Sequence, residues 1–422
     1  MSVIKKFFAI LVVVLISGEV WGQAARSPFT TYGIGEAYGN ALIHNQGMAG
    51  TGVSQPQFWF LNNQNPALLV FNTLTVFEAG IVAESRKISG DTLNERIRGG
   101  NMNYLVTAFP IKPTKWTTSL GLMPYTNVDF EFSSSITLND GSNTPVEIVE
   151  SGSGGLTQLY WSNGVRLTRE ISVGLKAAYL FGPIDNVYSN QLLKSNQVPY
   201  LIAVQQKTSV KDFSFSLGFS FSRDSLWGKN YRLSVGAVYD FETSLNAKRN
   251  DSFFRTTVSG DTLENYKLAV DRGQIRIPAN ITAGVSLSRG LQWSVATEFM
   301  YQDWSNFSSI SEDDEGLETA WRVALGGEFT PDPFAVGSFL KRITYRTGLS
   351  MEQYPFLAGG NTVKDLGINF GLSLPTGRSS LDLAVKFGKR GDKSENILEE
   401  SYFKIFFGLT FNDQWFIKRK FD

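Results

Sequence analysis

The sequence predicts an all-β protein: a transmembrane antiparallel β-barrel of about 14 strands with an N-terminal plug, or hatch, in its lumen. Three observations carry that class. First, segments throughout the chain alternate with period two. Residues 213–222 read Phe-Ser-Phe-Ser-Leu-Gly-Phe-Ser-Phe-Ser, and a strand sends alternate side chains to opposite faces. Second, the other face of these segments is mostly Ser, Gly, Thr and Asn. Charged residues are only 18% of the chain, against roughly 25% in ordinary soluble domains. A greasy outside around a polar inside is the pattern of a barrel in lipid. Third, nothing after the N-terminal run offers the roughly 18 consecutive apolar residues of a spanning helix, so strands must do any crossing.

Composition removes several function classes. The chain has 39 Lys+Arg and 39 Asp+Glu among 422 residues. A neutral chain lacks the basic surface that draws nucleic acid. There is no Cys and a single His, His44, which leaves no thiolate nucleophile, no Fe–S cluster and no multi-His metal site. His44 stands without a second imidazole, so it reads as a structural, hydrogen-bonded side chain. No catalytic residues, cofactor or metal site are expected, and the protein does not read as an enzyme. Gly152-Ser153-Gly154-Gly155 lacks the strand-to-helix context of a phosphate loop.

Residues 1–22 read as a secretory signal peptide. Lys5 and Lys6 precede an apolar run from Phe7 to Ile16, and cleavage is expected after Gly22. Residues 23–72 have no sustained period, yet carry Phe29, Tyr32, Met48, Phe58, Trp59, Phe60, Leu68 and Leu69. So many buried-type residues do not suit a free tail. The lumen of so wide a barrel is not filled by its own wall side chains, and this segment is expected to fill it.

The barrel follows over 73–411. The expected strands are 73–85, 97–109, 116–132, 155–168, 170–181, 211–223, 231–245, 275–289, 291–303, 318–330, 340–352, 363–374, 379–388 and 402–411. The count is even, as in single-chain bacterial barrels. Connections alternate between tight joints, such as Arg289-Gly290, and long polar ones, such as 133–154, 182–210 and 246–274. Short turns belong on the periplasmic side and long loops outside. Trp116, Trp161, Trp293 and Trp321 are candidates for the aromatic girdles. The acidic run Glu312-Asp313-Asp314-Glu315 reads as a solvated outer loop. Residues 412–422 form a periplasmic tail with the basic stretch Lys418-Arg419-Lys420. In the third strand, Pro124 cannot donate to a ladder and Gly121 adds permissiveness, so a kink or local gap in the wall is expected there.

The stretch Asn65-Pro66-Ala67, preceded by Gly47-Met48-Ala49-Gly50-Thr51-Gly52, resembles the hatch of the long-chain fatty acid outer-membrane transporters, the FadL/TodX-like family. The resemblance implies a fourteen-stranded barrel plugged by a hatch that carries this motif. It also implies a kinked third strand whose gap is a lateral exit toward the bilayer, here near Gly121 and Pro124. The function it implies is passive uptake of a hydrophobic small molecule across the outer membrane. Phe58, Trp59 and Phe60 are candidates for lining or gating. By strand alternation Arg322 and Arg346 point inward, either to meet a ligand carboxylate or to pair with lumen acids such as Glu298 and Asp382. Expected partners are outer-membrane lipid and the hydrophobic ligand. Two other readings stay open. Barrels resembling this family also serve as accessory subunits of protein secretion machinery, which would place function in the long loops and tail. An open porin would need the lumen to be unplugged.

Overall fold

The computed structural model describes residues 24–90, 94–137, 145–192, 200–226, 230–257, 261–310 and 316–414. The expected signal peptide, the acidic run 312–315 and the basic stretch of the tail lie outside the described residues.

A closed antiparallel barrel of 14 strands is the body of the molecule. We number them β1 Thr75–Ser89, β2 Asn94–Lys112, β3 Trp116–Pro124 continued by Thr126–Thr137, and β4 Pro145–Gly154 continued by Thr157–Arg166. Next come β5 Ile171–Leu192, β6 Tyr200–Leu226, β7 Tyr231–Asp240 continued by Thr243–Thr257, and β8 Thr262–Ile277 continued by Asn280–Arg289. The last six are β9 Trp293–Asp303, β10 Thr319–Phe329, β11 Thr344–Ala358, β12 Asn361–Thr376, β13 Ser379–Arg390 and β14 Glu399–Asp413. β14 closes on β1 in unbroken register from Glu399↔Ser89 to Asp413↔Thr75. Closure pairs the backbone groups that an open sheet edge would present to lipid.

Each expected strand is present, and the predicted faces hold. In β6, Phe213, Phe215, Leu217 and Phe219 are exposed to the outside, while Gly218, Ser220 and Ser222 are buried inward. Joints at the end of the barrel where β1 begins include the tight turns 113–115 and 377–378.

The long polar connections are the correction. Most of 133–154, 182–210 and 246–274 is strand, not loop. A break line crosses the wall at Tyr125, Gly155-Leu156, Gly182, Phe241-Glu242 and Pro278-Ala279. Beyond it six segments continue as one sheet: Thr126–Thr137, Pro145–Gly154, 183–192, 200–210, Thr243–Thr257 and Thr262–Ile277. Its outer face is polar. β6 changes from Phe213, Phe215 and Leu217 to Lys211, Ser209 and Lys207 on the same face. These segments lack the one-sided greasy alternation of a lipid-crossing strand, which is why they read as loops. The change of face marks where the wall leaves the membrane.

Residues 24–72 run through the lumen. Short helical turns at Ile43–Gln46 and Pro66–Phe71 carry buried Ile43, Leu68 and Leu69 against the wall. Two rows of glycine on the inner wall seat them. Gly164, Gly174 and Gly218 are cross-strand neighbours on β4, β5 and β6, and a side chain on any of them would overlap Asn65, Pro66 or Leu69. Gly326 and Gly348 pair across β10 and β11 and receive Met48 and Ala49 in the same way.

Candidate functional site

The closure of β14 on β1 leaves an interruption in the wall between β2 and β3. β2 and β3 pair from Lys112↔Trp116 only as far as Leu105↔Leu122. Among the described residues, Asn94–Tyr104 of β2 has no strand partner on that side, and Thr126–Thr137 of β3 pairs only with β4 and the plug. Pro124 itself pairs with Thr157 of β4, and the strand breaks one residue later at Tyr125. The missing donor of Pro124 thus coincides with the loss of pairing toward β2. Gly121 gives room to the Tyr160 ring beside it on β4.

The plug covers this gap. Glu36 and Ala37 add a two-residue strand to the free edge of β3, opposite Asn127 and Thr126. Tyr38 donates its N–H to the Tyr125 carbonyl at 3.0 Å and Ser27 donates to the Asp129 carbonyl at 2.8 Å. The segment is bracketed by Gly33, Gly35 and Gly39, with φ of 59°, 94° and 71°. That left-handed backbone suits glycine and lets the strand turn in and out of the edge.

Behind the plug strand lies a lumen cavity of about 380 Å³. Asn103 of β2 and Tyr125, Thr126 and Asn127 of β3 line it, so it abuts the gap. Its walls mix apolar groups such as Val82, Val238, Met300 and Phe406 with charged ones. Lys176 reaches into it and donates to Asn40 Oδ1 at 3.0 Å.

The strongest electrostatic feature is an ion network on that cavity wall. Arg86 of β1 pairs with Glu36 at 3.0 Å, Glu84 at 3.0 Å and Glu400 at 2.9 Å. Arg390 of β13 pairs with Glu36 at 2.7 Å and Asp365 at 3.4 Å. Lys404 joins Glu84 at 3.3 Å and Glu36 at 3.8 Å, and Lys386 joins Asp365 at 3.7 Å. Both arginines are 2% exposed. Charges so far from water persist because they are paired.

The residues singled out from sequence fall in different places. Asn65 caps the Pro66–Phe71 turn: its Oδ1 accepts from the Ala67 N–H at 3.0 Å. Its Nδ2 donates to the carbonyls of Val53 at 2.8 Å and of Phe219, on the wall, at 2.9 Å. Pro66 starts the turn and Ala67 is fully buried. Arg322 lines the cavity, pairs with Glu298 at 3.4 Å and donates to the Ala49 carbonyl. Arg346 does not line it. Arg346 is held by Glu328 at 3.1 Å and Ser373, over the Phe60 ring. Phe58, Trp59 and Phe60 also lie away from the cavity. Phe60 stacks on His44 at 4.6 Å, and Phe58 packs edge-on against Trp59. His44 is buried with Nδ1 3.8 Å from Glu78.

Sequence reasoning missed Glu36, Arg86, Asp365, Arg390 and Lys404. A signal was present: Glu84 and Arg86, and Glu400 and Lys404, occupy inward positions of strands that meet when the barrel closes. Only the register shows that they converge.

The fold is shared with solved structures. The toluene transporter TodX of Pseudomonas putida superposes with a TM-score of 0.57 at 16% identity, over 91% of this chain and 100% of that one. A FadL homologue of Pseudomonas aeruginosa gives 0.55 at 12% identity, over 89% and 98%. In sequence, the long-chain fatty acid transport protein of Escherichia coli O6:H1 is 23% identical over 397 residues, 83% of this chain and 82% of that protein. Its counterpart in Salmonella typhi is 23% identical over 431 residues, 87% and 90%. The family model described as BamG matches residues 3–422, and the protein belongs to the BamG family.

Proposed function

We propose that this protein is an outer-membrane barrel for passive uptake of hydrophobic small molecules, of the kind that a long-chain fatty acid represents. One observation carries the reading: the lumen cavity is bounded by Asn103 and Tyr125–Asn127, at the place where β2 and β3 are unpaired. At this gap the plug strand lies between the cavity and the outside of the wall. Pockets with apolar walls and a few fixed polar groups suit such ligands. The transport names of the relatives support this direction.

A disulfide lock tests it. Ala37 faces Thr126 across the plug–wall pair, and the chain has no other cysteine, so Ala37→Cys with Thr126→Cys gives a clean pair. Uptake of radiolabelled oleate into cells should stop when the pair is oxidised and return on reduction. Unchanged uptake by the oxidised protein would reject lateral release at this gap.

A second reading has its own observation. The sheet beyond the break line ends in two edges that are covered over only a few residues: Thr126–Thr137, where the plug strand pairs with Thr126 and Asn127, and Thr262–Ile277, bridged to Ser308 at Arg276. Open edges accept an added strand from a partner, and this favours an accessory subunit of a secretion system acting through protein contacts. Stoichiometric co-purification of a second protein, lost on placing Pro in the Thr262–Ile277 edge, would favour that role. Recovery as a solitary barrel would count against it.

A further inference from the structure

The connection between β10 and β11 departs from the turns beside it. It lies at the end of the barrel where β1 begins, together with the tight turns 113–115 and 377–378. Short turns belong on the periplasmic side. Here the chain instead runs over 330–343, reading Thr-Pro-Asp-Pro-Phe-Ala-Val-Gly-Ser-Phe-Leu-Lys-Arg-Ile. Four large apolar side chains on it face outward into solvent. Phe334 is 78% exposed and Val336 fully so, with Leu340 at 66% and Phe339 at 43%. The loop that carries them is ordered at its base. The Thr330 and Thr344 hydroxyls meet at 2.8 Å, and the Asp332 N–H donates to the Lys341 carbonyl at 2.8 Å. The Asp332 carboxylate accepts the Phe334 N–H at 3.1 Å. A clasped loop that holds four apolar groups away from the protein marks an interaction surface.

Three observations identify what covers it. The patch continues the lipid-facing wall: β10 ends and β11 begins on the outward pair Phe329 and Tyr345, with Trp293 of β9 beside Phe329. Rings at that level form the interfacial belt of a membrane barrel. The loop also bends toward this outer face, since the Tyr345 hydroxyl donates to the Leu340 carbonyl at 3.3 Å. Its charge has the sign that phospholipid headgroups attract. Lys341 and Arg342 follow Leu340 directly, with the Arg342 guanidinium 5.6 Å from the centre of the Phe339 ring. The one acid of the loop, Asp332, is engaged within the loop itself.

We propose that 330–343 is a membrane foot: Phe334, Val336, Phe339 and Leu340 insert into the periplasmic leaflet beside the barrel, and Lys341 and Arg342 sit at the phospholipid phosphates. The apolar groups thereby leave water. The two long cationic side chains reach back to the headgroup level, where anionic lipid adds to the attraction. A foot on one side of the barrel helps to set its tilt, as interfacial anchors do. The proposal requires neither the lumen cavity nor the β2–β3 gap, so it stands apart from the uptake reading.

The test measures depth in the bilayer. The chain has no cysteine, so Val336→Cys takes a single nitroxide label. Lys115→Cys, on the tight turn 113–115 at the same end, is the water-exposed reference. The full barrels are placed in vesicles of phosphatidylethanolamine and phosphatidylglycerol, and heat-modifiable migration on gels confirms that they are folded. Collision with oxygen, which concentrates in lipid, is compared with collision with a nickel chelate present on both sides of the membrane. The label at 336 should lie about 5–10 Å into the headgroup–acyl boundary, the depth of an interfacial apolar face, and the label at 115 in water. Adding Lys341→Gln with Arg342→Gln should draw the label at 336 toward water; an unmoved label would remove the headgroup contact from the proposal. Equal access of the chelate to the two labels overturns the inference. So does a label at 336 that is open to the chelate in vesicles but shielded in isolated outer membranes, since the occupant would then be a protein.

Discussion

Gly174 shows how a single missing side chain builds the interior of this barrel. It lies between Gly164 and Gly218 on neighbouring strands, and a Cβ there would overlap the Pro66 carbonyl group and the Ala67 nitrogen. The backbone of the plug turn therefore lies directly on the backbone of the wall, close enough for Asn65 Nδ2 to bond the Phe219 carbonyl. Gly174→Val should lift this turn from its seat, at the cost of about 1–3 kcal/mol typical of overpacking. Planar-bilayer recordings should then show a larger ion conductance than the wild type; an unchanged conductance would mean that the seat is not what holds the plug. The Asn65-Pro66-Ala67 sequence was legible only through its resemblance to a hatch motif, and the structure gives it a physical meaning, an Asn cap followed by Pro at the start of a turn. The glycines facing it were not. Each looked like one more small residue on a polar face, and only the register brings three of them into a row.

At the scale of elements, both the motif turn and the Gly47–Gly52 stretch of the plug rest on wall glycines, and the second adds a buried ion pair. The motif end rests on glycine. Toward the Gly47–Gly52 stretch, the wall carboxylate of Glu298 accepts the N–H groups of Gly52 and Val53, both at 3.0 Å, while Arg322 steadies it at 3.4 Å. Glu298→Ala leaves two plug N–H groups and a guanidinium without their acceptor. A cost of about 3–5 kcal/mol is expected for breaking such a buried pair. It should appear as faster hydrogen exchange over Gly50–Val53, with the Asn65 turn still protected. Exchange spreading over the whole plug would show a single cooperative unit instead. The alternation of wall strands made Arg322 and Glu298 legible as inward charges. That their pairing also secures the plug depends on Gly50–Val53, whose sequence has no period to read. The reverse holds for Phe58, Trp59 and Phe60. Their chemistry suggested a pocket lining, but the turn that carries them lies near Glu328 and Glu78, off the cavity.

For the whole molecule, the decisive boundary is the level at which the outer face changes from apolar to polar. All fourteen crossings were legible, since lipid demands a greasy residue at every second position. The six segments beyond the break line were not, because water on one side and a half-filled inner face on the other impose no such rule. β6 crosses that boundary within one strand, which makes the placement measurable in one element. Leu217 is 48% exposed on the outer face, in the middle of the Phe213–Phe221 run, and Gln205 points the same way beyond the break. Leu217→Lys should cost about 2–4 kcal/mol in folding into lipid vesicles, the range for a charge near the bilayer midplane, whereas Gln205→Lys should cost about 0–1. Denaturant titrations of the two variants in the same vesicles measure the difference. Equal penalties would place the upper sheet in the bilayer as well. The gap between β2 and β3 would then open at mid-membrane instead of at its outer surface, and a ligand leaving the cavity would meet acyl chains directly without passing the headgroups.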